Sequence, residues 1–214
     1  MPPKGFRHNI RNYERSNTVK QEIQGTLQRR GALFLTNVYE GVDVMLDSKV
    51  SKLLNEQINK ELYSAYLYLD FSIFYEQQGL DGFSNWYMIQ AQEERDHAML
   101  FLKYLQLNGE IASLDAIGKP DITLETLMDP LKAGYEHEQY VTGLINDIYA
   151  AAYAVKDFRT MQFLDWFVKE QLEEEKNADD MIKKMELFGN DSKGLYSLDS
   201  EYAARVYTAP SLVL

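Results

Sequence analysis

The sequence predicts an all-α fold: a four-helix bundle with a long crossover between its second and third helices and a short fifth helix at the C-terminal end. Two observations carry this. Four long segments place apolar side chains three and four residues apart, the spacing of a single helix face. The breaks between them run short, long, short, so two helical hairpins are joined by a connection able to return along the whole bundle. A third observation concerns the stripes themselves, which are not wholly apolar. Glu61, Glu94, Glu138 and Glu174 fall mid-stripe, one on each segment.

The first helix is expected from 48 to about 77, with stripe Leu54, Ile58, Glu61, Ala65, Tyr68, Ser72. Gly79 breaks it. The second runs from 81 to 107 with stripe Phe83, Tyr87, Gln90, Glu94, His97, Phe101, Leu105, and Asn108-Gly109 ends it. Residues 109–122 lack periodicity and hold Gly118 and Pro120, as a crossover would. A third helix begins either near Thr123 or after Asp129-Pro130, where proline suits the first turn. Its stripe is Leu131, Tyr135, Glu138, Val141, Ile145, Ile148, Ala152. Lys156-Asp157 marks a short turn into the fourth helix, which extends to 188 with stripe Leu164, Phe167, Gln171, Glu174, Ala178, Ile182, Met185. Gly189-Asn190-Asp191 ends that one, and 195–206 is expected as a short fifth helix. The methionines Met88, Met99, Met161, Met181 and Met185 read as core gap-fillers.

A carboxylate on a core-facing stripe is costly to bury unless something pairs with it. Four of them converging with His97 call for a shared cation. The spacing repeats: Glu61 to Glu94 and Glu138 to Gln171 are both 33 residues, so the hairpins present related chemistry about a local pseudo-twofold. Glu94 and His97 are three apart and share a face, as do Gln171 and Glu174. Imidazole with hard carboxylate oxygens suits iron or manganese, and zinc less selectively. Glu94 is placed to bridge two ions, which implies a di-metal site. His137, adjacent to Glu138, points about 100° away from it and is not expected to be a ligand.

Composition narrows the function classes. The net charge of −11 is uneven: residues 1–44 are net +3 and residues 45–214 net −14. An acidic body repels nucleic acid and attracts cations. There is no cysteine, hence no disulfide framework or thiolate metal site. No apolar run reaches the ~20 residues a membrane span requires. A cytoplasmic protein is the expectation. Residues 1–44 are expected to be a basic, disordered extension, or an over-extended start whose true initiator is Met45. Glu14, Glu22, Glu40 and Asp43 argue against a transit peptide, which would be poor in acids.

Several motifs carry a family resemblance: Leu54-Asn55-Glu56-Gln57, Glu61-Leu62-Tyr63-Ser64, Ala91-Gln92-Glu93-Glu94, Glu136-His137-Glu138-Gln139, and Phe163-Leu164-Asp165-Trp166-Phe167 leading into Glu170-Gln171-Leu172-Glu173-Glu174-Glu175-Lys176. From Met45 onward the chain closely resembles bacterial non-heme ferritins, whose connectivity is the two hairpins and crossover described above. The resemblance implies a first iron site from Glu61, Glu94 and His97. It implies a second from Glu94, Glu138 and Gln171, with Glu174 adjacent or mobile. A third position is matched by Glu93, Glu170 and Glu173, and Tyr68 matches the tyrosine that family members place beside the iron pair. Relatives that keep iron permanently carry a second Glu-x-x-His, whereas here the last helix carries Gln-x-x-Glu, which implies iron that passes through. Bacterioferritins have a heme-ligating methionine where Arg95 stands, so no heme is expected. Asp157 matches an acidic residue of the threefold channel, with Thr160 at the position of its usual acidic companion.

The implied activity is iron storage with ferroxidase chemistry: Fe2+ is oxidised by O2 or H2O2 and deposited as Fe3+ mineral in a homo-oligomeric hollow shell of twenty-four subunits. Two alternatives stand beside it, a di-iron oxidase of an organic substrate and a mineral-nucleating subunit without oxidase activity.

Overall fold

The structure, a computed structural model, describes residues 46–214; the anticipated 1–44 extension lies outside the described residues. Five helices occur among them: α1 (Ser48–Gln77), α2 (Asp81–Leu107), α3 (Asp129–Ala154), α4 (Phe158–Phe188) and α5 (Ser192–Ala203). At the head of α1 the Asp47 carboxylate accepts from the amides of Lys49 and Val50, two donors that have no partner inside the helix. Gly79 closes the far end with φ of 73°, a left-handed conformation that glycine adopts without a Cβ penalty. Of the two starts considered for the third helix, the second is found, with Pro130 in the first turn.

Between Leu107 and Asp129 the chain has no helix and runs along α1, whose asparagines hold it. The Asn55 amide donates to the Ser113 carbonyl at 2.9 Å, and its oxygen accepts from the Ser113 amide at 2.8 Å. Asn59 donates to the carbonyls of Asp115 and Ala116, both at 3.2 Å. Side chains thus supply partners that an irregular backbone segment would otherwise lack.

At the start of α4, Asp157 accepts from the Thr160 amide at 3.1 Å and from the Thr160 hydroxyl at 2.5 Å. Thr160 is fully buried, and its hydroxyl also meets that of Tyr104 at 2.9 Å. Its short polar side chain thus completes a helix cap. The fifth helix begins at Ser192 rather than 195 because Asp191 caps it, accepting from the Gly194 amide at 2.9 Å. Met88 and Met99 are also corrected. They lie on the solvent side of α2, 50% and 37% exposed, because both stand off the stripe defined by Tyr87 and His97. Met181 and Met185 are buried as expected.

The backbone of α1 packs against α2 and α3, α3 against α4, and α5 against α2 and α4. α2 and α4 meet through long side chains, as where Tyr104 stacks on Phe163 with ring centroids 4.1 Å apart. The core forms two apolar clusters. One contains Leu54, Ile58, Phe101, Ile145 and Phe167. The other contains Phe71, Tyr75, Phe83, Leu131 and Met185. The carboxylate belt lies between them in sequence on every helix of the bundle.

The docking of α5 fixes the start of α2. Leu80 gives α2 no side-chain cap. Instead the Asp199 carboxylate, from α5, accepts from the amides of Gly82 and Phe83 at 2.8 and 3.1 Å. A Cβ on Gly82 would fall 1.7 Å from the Asp199 carbonyl oxygen, so only glycine permits this approach. Asp199→Ala should therefore remove about 1 kcal/mol of capping. Amide hydrogen exchange would show it as faster exchange over 81–84 and 192–203 with the α3–α4 hairpin unchanged.

Candidate metal centre

Glu61 lies one helical turn after Gln57 on α1, and Glu94 one turn after Gln90 on α2. Each glutamine amide donates to the glutamate ahead of it, Gln57 to Glu61 at 2.9 Å and Gln90 to Glu94 at 3.3 Å. The 33-residue offset thus extends to the pair of donors, a signal present in the sequence but not read there as a role. Gln90 also donates to Glu174 at 2.8 Å, joining α2 to α4. From α3, Glu138 accepts from the Gln171 amide at 3.1 Å and from the Tyr68 hydroxyl. Two hydrogen-bonded groups result, Glu94 and Glu174 joined through Gln90, and Tyr68 and Gln171 joined through Glu138.

Glu61, Glu94 and His97 each offer an atom within 4.8 Å of the others, close enough for one ion. His97 Nδ1 is 3.4 Å from Glu94 Oε2, with its ring packed edge-on to Trp166 and Phe167. Glu61 is 1% exposed, yet its Oε2 has no hydrogen-bond partner among the described residues. A buried carboxylate with an unpartnered oxygen, grouped with two other potential ligands, fits a cation. His137 instead pairs with the Ser64 hydroxyl at 2.8 Å, and burial pushes its imidazole down to about 4.

The electrostatics follow from the same burial. Loss of water first, and the Glu94 carboxylate second, push the carboxyl groups of Glu61 and Glu138 up to about 8. Glu94 and Glu174 are raised too, by burial first and then by Glu174 acting on Glu94 and Glu138 on Glu174. The Tyr68 phenol is pushed well above its usual range by burial and by Glu138, so it remains a donor. Without a cation this pocket holds protons; with one it gives them up.

The remaining expected residues stand at the rim. Glu93 and Glu170 are half-buried, and Glu173 is exposed. Burial raises Glu93 and Glu170, with neighbouring carboxylates adding to the effect: Glu170 and Glu173 on Glu93, and Glu173 on Glu170. Arg205 also reaches Glu93, a contact the sequence reading missed because it comes from beyond α5.

A family model described as a ferritin-like domain matches residues 51–188. The chain belongs to the ferritin family. Among similar ferritins, a bacterial non-heme ferritin of Campylobacter jejuni is 39% identical over 155 residues, covering 72% of this chain and 93% of that protein. A probable bacterial non-heme ferritin-like protein of Haemophilus influenzae is 37% identical over 157 residues, covering 73% and 95%. Of solved structures, an open-pore ferritin from Archaeoglobus fulgidus aligns with a TM-score of 0.74 at 39% identity, over 76% of this chain and 99% of that one.

For this ferritin the raised carboxyls fix a pH dependence. Above the ordinary carboxylate value of about 4.5, an unfolded chain has lost these protons while the folded pocket keeps them. The folded state then binds more protons, so its stability falls as pH rises toward about 8. Metal-stripped protein should show a denaturant midpoint that declines from pH 5 to pH 8. Glu61→Gln should flatten that slope, and saturating Zn2+ should abolish it.

Proposed function

We propose that this chain is an iron-storage protein with ferroxidase activity. It takes Fe2+ as substrate at a two-ion centre, oxidises it, and passes Fe3+ to mineral inside a hollow shell of twenty-four copies. The observation that carries this is the buried Glu61, Glu94 and His97 group with the unpartnered Glu61 oxygen. These three hold the first ion. Glu94 reaches toward both hairpins and bridges to the second, held with Glu138 and the Gln171 carbonyl, while Glu174 is the exchangeable ligand. Tyr68 keeps Glu138 oriented. Each of two Fe2+ gives one electron. With O2 and two protons the product is H2O2, and with H2O2 and two protons it is two waters. Carboxylate oxygens favour Fe3+ over Fe2+, which draws the oxidation forward.

Glu93, Glu170 and Glu173 form the third position, through which product leaves. An open groove along α1 and α2, lined by Leu62, Tyr66, Met88 and Ile117, leaves apolar surface for a neighbouring copy to cover. Residues 45–214 form the iron-handling domain, preceded by the basic 1–44 extension. The protein works in the cytoplasm without nucleic acid, membrane or heme. Among the described residues no helix is long and apolar enough to cross a membrane.

His97→Ala and Glu94→Ala should each slow the fast phase of aerobic Fe2+ oxidation at least about tenfold, since losing even an outer-shell partner of a metal site has effects of that size. Gel filtration should still show the assembled shell, because the apolar clusters are untouched. Unchanged initial rates in both variants would remove the site assignment.

The Gln-x-x-Glu departure is tested by Glu174→His, which restores the second histidine. Iron should then be retained longer at the pair and reach mineral more slowly, as followed by Mössbauer spectroscopy of frozen time points. Equal transfer rates in the two proteins would refute the pass-through reading.

A further inference from the structure

The segment beyond α5 folds back onto the rim of the pocket. Arg205 Nη1 donates to the Trp86 carbonyl at 3.1 Å and to Gln90 Oε1 at 2.9 Å, and Nη2 donates to Glu93 Oε2 at 2.5 Å. The guanidinium lies over the Trp86 ring, 4.1 Å from its centroid. The segment is held on both sides of this residue. Asn85 donates to the Arg205 carbonyl at 3.1 Å, and the Tyr207 hydroxyl donates to Asp96. Arg205 and Glu93 side chains are 15% and 17% exposed, so this pairing is largely shielded from water.

The chemistry of the contact is directional. A guanidinium has donors and no acceptor, so it binds only the oxygen end of the Gln90 amide. The NH2 end is thereby turned to Glu94 and Glu174, where it is found. The other arm of the fork neutralises Glu93, one of the three rim carboxylates. A lysine, as a point charge, lacks the planar fork needed to do both.

We propose that Arg205 is a positioning residue of the metal pocket: it fixes Gln90, and through it Glu94 and Glu174, while holding Glu93 in the place of a cation. An ion reaches the Glu93, Glu170, Glu173 position only by displacing the guanidinium. This rests on the iron-handling reading above and assigns the control of onward transfer to the C-terminal segment.

The test is Co2+ titration of the iron-free, full-length assembled protein, followed by calorimetry and visible absorption. Wild type should bind two Co2+ per subunit at the pair. Arg205→Gln should bind that pair about 10- to 100-fold more weakly, the effect of losing an outer-shell partner. It should also gain one weaker Co2+ per subunit, and adding Glu93→Gln should abolish that gain. Arg205→Lys should weaken the pair without the added ion. An Arg205→Gln isotherm that superimposes on wild type, or an added ion that survives Glu93→Gln, overturns the proposal. If Arg205→Gln does not assemble, Arg205→Lys decides: weaker pair binding supports the proposal and wild-type binding overturns it. Wild-type protein that binds no Co2+ at the pair would remove the iron-storage reading itself, an outcome distinct from either.

Discussion

Four buried carboxyl groups share the middle of the bundle, and most of the polar architecture answers that constraint. An ionised carboxylate out of water is heavily penalised, and a second one beside it adds repulsion. Glu61, Glu94, Glu138 and Glu174 are all buried. The chamber is therefore tolerable in only two conditions, protonated or loaded with cations. In keeping with this, Glu61 Oε2 has no partner among the described residues, and burial lifts the carboxyl groups far above their usual range.

The partners chosen for those carboxylates preserve the tension. Gln57, Gln90, Gln171 and Tyr68 are neutral donors. A lysine or arginine in their place would satisfy the charge permanently and leave no work for a metal. The Arg205 guanidinium pairs with the rim residue Glu93 and with the outer end of Gln90. That guanidinium thus borders the chamber without entering it.

What could be read in the sequence was what periodicity encodes. A helix stripe interrupted by Glu61, Glu94, Glu138 and Glu174 places those residues inward whatever the surroundings, because backbone geometry alone sets the angle. The same reasoning located Gly79 and Asn108-Gly109 as stops. It missed what depends on distant chain. Asp199 caps α2 from over a hundred residues away, and Arg205 reaches Gln90 and Glu93 from the last segment. The role of Thr160 in capping α4, with Tyr104 behind it, was likewise not read from the sequence. Met88 and Met99 were misread by residue type when their angular position on α2 already put them outside.

The separation of the apolar core into two clusters, with the polar belt between, has a mechanical consequence. On α1 the belt residue Glu61 sits between Ile58 of one cluster and Leu67 of the other; on α2 Glu94 sits between Ala98 and Ala91. The side chains that give the bundle its strength are thus different from those that change charge. A protein that loads and empties its pocket again and again must swing carboxylates through several geometries without loosening its frame. Here apolar packing holds the frame on either side of the carboxylate layer.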